Sequence, residues 1–172
     1  QYVALLRGIT VGGNKKGEMK RLKMLAESLG YTDVSTYINS GNLLFSSGKA
    51  RTSVERGLSA AMKKEFGFEI GLLVKTEKEM RDIAQEIPKE WENNDEARCD
   101  VAYLFSDVDS KKILDDLPVR REFIDVRYVP GALLWRVSRK DYNRSYLNKL
   151  AGHALYKRMT VRNVNTARRL AQ

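Results

Sequence analysis

With one histidine and one cysteine among 172 residues, this chain holds little of what most metal and nucleophile chemistry uses. Cys99 has no partner for an internal disulfide, which excludes a disulfide scaffold and fits a reducing cytoplasm. His153 is far from Cys99 in sequence, and no cluster of His, Cys and carboxylates has the spacing of metal ligands, so no metal site is expected. No G-x-S-x-G elbow marks a hydrolase nucleophile. No apolar run reaches the length of a membrane span. "QYVALLRG" is too short and too soon interrupted for a signal peptide. There is no short-period repeat and no low-complexity tract. What remains is 42% hydrophobic and 31% charged residues, the balance of a soluble globular protein. The expected location is the cytoplasm.

Positive charge is abundant but uneven. The formal charge is +9. Residues 139–172 hold nine basic side chains against Asp141 alone, and residues 76–125 hold eight basic against fifteen acidic. A concentrated positive tail beside an acidic middle points either to an anionic ligand or to an internal charge match.

The hydrophobic pattern sets the order of elements. "YVALLR" reads as a buried first strand, Tyr2 to Arg7. Met19, Leu22, Leu25, Ala26 and Leu29 recur at helical spacing, and Gly30 stops that helix. "DVSTYINSGNLLFSS" reads as two strands about a turn at Ser40-Gly41. Val54, Leu58, Ala61, Met62 and Phe66 mark a second helix ended by Gly67, and "FEIGLLVKT" gives a strand. This βαββαβ order is the split-βαβ pattern of a ferredoxin-like unit. A helix from Glu77 to Ile87 follows, then a polar, aperiodic connector over residues 88–99. The pattern restarts with "DVAYLFS", "SKKILDDL", "DVRYV" and "ALLWRVS", turning at Pro130-Gly131. A helix is expected from about Asp141 to Tyr156, and a short last strand near Met159–Val161. The reading is α+β: a first ferredoxin-like half over 1–87, a connector over 88–99 and a second half over 100–172, in one compact unit.

Four stretches carry candidate binding residues. "RGITVGGNKK", residues 7–16, matches neither the dinucleotide fingerprint nor the Walker loop. A strand, a glycine loop and a helix can still present backbone N–H groups to an anion, with Arg7, Gly12, Gly13, Lys15 and Lys16 contributing. The bland alternative is a crossover whose lysines face water. "YINSGN" places Asn39 and Ser40 at a hairpin tip, where turn chemistry alone explains them or they stand beside the glycine loop. Arg144 and Ser145, at the start of the expected basic helix, can converge on an anion. Arg162 and Asn163 pair a planar cation with an amide, a combination suited to phosphate or carboxylate; Asn165 is the expected cap of a short terminal helix.

Taken together, "YVALLRGITVGG", "TYINSGN", "NRSYLNKL" and "TVRNVNT" resemble a mostly bacterial family, that of domain of unknown function 1697, across nearly the whole chain. The resemblance implies a pair of intertwined ferredoxin-like halves and no established activity. Thr10, Tyr146 and Val164 stand where that family usually has Asn, Lys and Trp. Three functions are compatible with these residues. The leading one is binding of a phosphorylated or carboxylated small molecule; cofactor and catalytic residues stay open. The second is nucleic-acid binding, supported by charge, although "GNLLFSS" lacks the basic-aromatic pattern of RNA-recognition sheets. The third is an enzyme drawing acid-base groups from Asp141, Tyr142, Ser145 and His153.

Overall fold

A computed structural model of the chain describes residues 1–7, 15–37 and 41–172, and of residues 15–17 the backbone alone. The chain divides into two compact units, Gln1–Lys78 and Glu79–Gln172.

The first unit is built from strands β1 (Tyr2–Arg7), β2 (Thr32–Thr36), β3 (Asn42–Ser46) and β4 (Gly71–Thr76), with helices α1 (Lys15–Ser28) and α2 (Arg51–Phe66). The sheet order is β2-β3-β1-β4 and all its pairs are antiparallel. That order is the ferredoxin-like arrangement expected from βαββαβ. The helices lay Met19, Leu22 and Ala26, and Val54, Leu58 and Met62, on one face of the sheet against Ala4, Leu6, Leu43, Phe45, Leu72 and Val74. Phe45 stacks on Tyr31 with ring centroids 4.7 Å apart. Gly67 ends α2 in the left-handed region, its N–H bonded to the Lys63 carbonyl, as a helix-stopping glycine does. Gly41 opens β3 at φ +83, and a Cβ there would stand 3.2 Å from the Leu6 carbonyl oxygen. Only glycine suits both the backbone angle and the close approach of β1.

The second unit repeats the plan with β5 (Ala97–Leu104), β6 (Ile124–Val129), β7 (Ala132–Ser138) and β8 (Met159–Asn163) in the order β6-β7-β5-β8, again antiparallel. Helix α3 (Glu77–Gln85) begins at the division between the units, α4 (Ile113–Asp116) is a single turn, and α5 (Val164–Leu170) closes the chain. Ala102, Leu104, Leu133, Trp135, Val137 and Met159 form the apolar centre of one sheet face, with Ile113, Leu147 and Leu150 packed on it.

Three expectations are corrected here. Strand β5 starts at Ala97, so Ala97, Arg98 and Cys99 belong to the sheet and not to the connector. The connector itself is tied down. Asn94 Oδ1 accepts from the Glu96 and Ala97 N–H groups, and Trp91 is buried.

The second correction concerns residues 141–156, which do not form one helix. They are broken into 3-10 turns at Arg139–Asp141, Leu147–Gly152 and Ala154–Arg158. Ser145 Oγ donates to the Tyr142 carbonyl at 2.6 Å and accepts from the Leu147 N–H at 3.1 Å. This local bonding competes with a helical ladder. Tyr146 then takes φ +62, which no continuous right-handed helix accommodates. His153 is extended, and its Nδ1 accepts from the Leu155 N–H, starting a new turn. Leu147 and Leu150 are buried, whereas Ala154 is exposed.

Third, the last strand is longer than expected. It runs to Asn163 and pairs with β5 from Met159 opposite Leu104 to Asn163 opposite Asp100.

The turn between β6 and β7 is held by Asp109, whose Oδ1 accepts from the Gly131 N–H at 2.9 Å and the Tyr128 hydroxyl at 2.7 Å. Burial, then this hydrogen bond and the Asp109 charge, push the Tyr128 phenol up to about 12 from 10.0. The folded value lies above the unfolded one, so the neutral phenol stabilises the fold fully below the unfolded pKa. That contribution is lost as pH rises through the folded pKa. Burial also raises the Tyr31 and Tyr103 phenols, so alkaline titration of the tyrosines by ultraviolet absorbance is expected to show several late phenols, one of which disappears in Tyr128→Phe, and the variant's stability should fall less steeply than the parent's across that window. Equal slopes would refute the assignment.

Candidate functional site

On the face of the second sheet that carries the apolar centre, one end is polar. Side chains alternate along a strand, so Arg98 and Asp100 share this face with Ala102 and Leu104. Across the register, Asp100 faces Trp135 on β7 and Asn163 on β8. A pocket of about 360 Å³ opens here, lined by Asn93, Arg98, Asp100, Arg139, Tyr156, Val161 and Asn163. This volume lies within the range of small-molecule sites.

Asp100 is the pocket's carboxylate and is only 4% exposed. Its Oδ2 accepts from Arg98 Nε at 2.9 Å and from the Trp135 indole N–H at 2.8 Å. Burial pulls the Arg98 pKa down, but the Asp100 charge and hydrogen bond, aided by Tyr142, outweigh it and hold the guanidinium above its usual value. Arg98 also lies 5.2 Å over the Tyr142 ring. Arg139 donates from Nε to the Asn94 carbonyl at 2.6 Å. Asn93 Oδ1 accepts from the Cys99 N–H at 3.1 Å and from Arg139 Nη2 at 3.5 Å. Asn163 Oδ1 accepts from the Thr166 N–H at 2.9 Å and caps α5. Both amides therefore spend their oxygens on the protein, and what each has to offer a ligand is its Nδ2 donor. Two guanidinium groups and two amide donors surround a single carboxylate. A larger depression of about 530 Å³, lined by Arg121–Val126, Arg136, Ser138 and Asp141, sets three carboxylates against two arginines and has no such excess.

The candidate residues read from sequence are placed as follows. Asn163 lies in the pocket, and it, not Asn165, caps the terminal helix. Asn165 sits one residue inside α5 and donates to the Asn93 carbonyl at 3.2 Å. Arg162 points to the opposite face of β8 from Asn163, is 9% exposed, and donates to Thr160 Oγ1 at 2.7 Å and the Val161 carbonyl at 3.0 Å. Burial lowers its pKa. The pairing of Arg162 with Asn163 at one anion is therefore not what β8 produces, because adjacent strand residues face opposite ways.

Ser145 is fully buried with its hydroxyl used in the turn, whereas Arg144 is exposed and 3.8 Å from Asp141; the two do not converge. Arg7 ends β1 opposite Gly71 in the other unit. Lys15 starts α1, and its side chain lies outside the described residues, as do Gly12, Gly13, Asn39 and Ser40. Of the acid-base candidates, His153 accepts from a backbone N–H and Ser145 closes a turn.

Arg98, Asp100, Asn93 and Arg139 were missed. The available signal was "ARCDVAYL", in which Arg and Asp two apart interrupt an otherwise buried run. Part of the tail's charge is matched internally, since Arg158 grips Asp107 through Nη2 at 2.7 Å and Nε at 2.9 Å. That hydrogen bond and charge hold the Asp107 carboxyl below its usual value. Among the described residues no group of three or more His, Cys, Asp or Glu is placed to hold a metal ion, and no helix is long and apolar enough to cross a membrane.

Two α+β units, each with a four-stranded antiparallel sheet in ferredoxin-like order, define the class of this protein. The chain belongs to the family described as "Protein of unknown function (DUF1697)", whose model matches residues 1–135. Among solved structures it is similar to a conserved bacterial protein from Streptococcus pneumoniae, at 23% identity and a TM-score of 0.84, over 99% of this chain and 96% of that one. At this identity the likeness shows the fold alone. A search of curated proteins found no match.

Proposed function

We infer that the polar pocket of the second unit binds a small molecule through a carboxylate or phosphate group. The observation that carries this reading is the set of donors. Arg98, Arg139, Asn93 and Asn163 line one pocket around a carboxylate already engaged by Arg98 and Trp135. Guanidinium groups present planar forks of N–H donors that match a carboxylate or phosphate. Arg98, Asn93 and Asn163 are partly buried, which limits screening by salt at these donors.

The reading is tested by titrating the labelled full chain with inorganic phosphate while following backbone and side-chain amide resonances. Shifts are expected at Asn93, Arg98, Arg139 and Asn163, with the Nδ2 protons of both asparagines moving most. Absence of change at these four positions, or changes confined to the exposed lysines, would overturn it.

A further inference from the structure

We propose that the ligand of this pocket carries a hydrogen-bond donor, a hydroxyl or an ammonium, next to its acidic group, and that Asp100 selects for it. The inference rests on the anion-binding reading and adds a requirement that reading does not contain. A pocket shaped only to hold an anion has no use for a carboxylate at its floor, because like charges repel across a few ångström.

Asp100 is nevertheless there, almost wholly buried and lining the pocket. An ionised carboxylate has about four acceptor positions. Both hydrogen bonds that Asp100 receives, from Arg98 and from the Trp135 indole, fall on Oδ2. Oδ1 has no partner among the described residues and is not sealed from solvent, since Glu18 Oε2 alone among their buried side-chain oxygens and nitrogens lacks a partner. Oδ1 is thus an acceptor held at the pocket wall by a side chain that two donors fix in place. A ligand donor meeting Oδ1 removes the mismatch between Asp100 and the ligand's acidic group. An analogue lacking that donor leaves the repulsion in force and the acceptor unmet.

The experiment compares propionate, lactate and alanine, three acids of equal carbon length, with inorganic phosphate as the reference for the anion reading. Each is titrated into the full chain and followed at Asn93, Arg98, Arg139, Asn163 and the Trp135 indole N–H. Lactate or alanine is expected to bind about tenfold more tightly than propionate, the factor that one hydrogen bond to a charged group supports. Preference for lactate identifies a hydroxyl donor, and preference for alanine an ammonium. In Asp100→Asn the preference should shrink to within about twofold, since Asn keeps an oxygen for Trp135 and Arg98 but lacks the charge that favours a ligand donor. Equal binding of all three acids, with shifts at the four pocket residues, would overturn the role of Asp100 and leave the anion reading standing. No shift with any of the four ligands would overturn both. Should the variant fail to fold, the series on the parent chain decides.

Discussion

Asn93→Asp is expected to weaken phosphate binding about a hundredfold while leaving the fold intact. Asn93 uses its Oδ1 twice, for the Cys99 N–H and for Arg139 Nη2. Aspartate supplies an oxygen for both, so the link between the connector and β5 survives. The Nδ2 donor is lost, and a negative charge enters a pocket whose ligand is negative. Two unit charges about 5 Å apart at an effective dielectric of about 20 interact by about 3 kcal/mol, and about 2.7 kcal/mol corresponds to a hundredfold in affinity. The new carboxylate also competes for Arg139, which deepens the loss. The measurement is a phosphate titration of parent and variant beside a urea melt of each. An unchanged affinity with an unchanged melt would place the anion elsewhere.

Phe45→Ala should cost the first unit about 3–5 kcal/mol, the range for removing a large buried aromatic ring. Phe45 is 1% exposed. It stacks on Tyr31 and meets Tyr2 at 5.8 Å between centroids. The ring therefore joins the N-terminal strand, the turn after α1 and β3. Alanine leaves a void lined by two tyrosines that are fixed elsewhere, Tyr2 donating to the Lys49 carbonyl and Tyr31 to that of Val54, so collapse into the space is restricted. Amide exchange of β1 and β3 should accelerate accordingly. Phe45→Leu, which keeps most of the volume, should recover more than half of the loss. A cost below about 1 kcal/mol for the alanine variant would show that the aromatic stack is not central to this core.

The two predictions draw on different levels of information. Phe45 is visible in the sequence as an apolar residue in "NLLFS", a short apolar run that follows a turn and so marks a strand. Asn93 is not visible in that way. It sits in a polar, aperiodic stretch that reads as a linker, and its value comes from reaching β5 and Arg139 across the sequence.

Local pattern by itself determined the strand order of both halves and the helices of the first, because burial of one face imposes a period of two or 3.6 that the residues must carry. It also determined the glycine stops at Gly30 and Gly67 and the turn at Gly131, where positive φ leaves glycine the favoured residue. It failed at residues 141–156, where helical spacing was present but Ser145 and Tyr146 bonded and turned locally. It also failed at Asn163, whose composition suits an anion site and a helix cap alike.

The tertiary structure alone decided which polar residues meet. Sheet register sets Asp100 opposite Trp135 and Asn163, and the strand's alternation turns Arg162 away from them. The connector and the turn after β7 then bring Asn93 and Arg139 to the same pocket. Which residues face each other across a sheet depends on pairing between segments distant in the chain, and no periodicity within one segment encodes it.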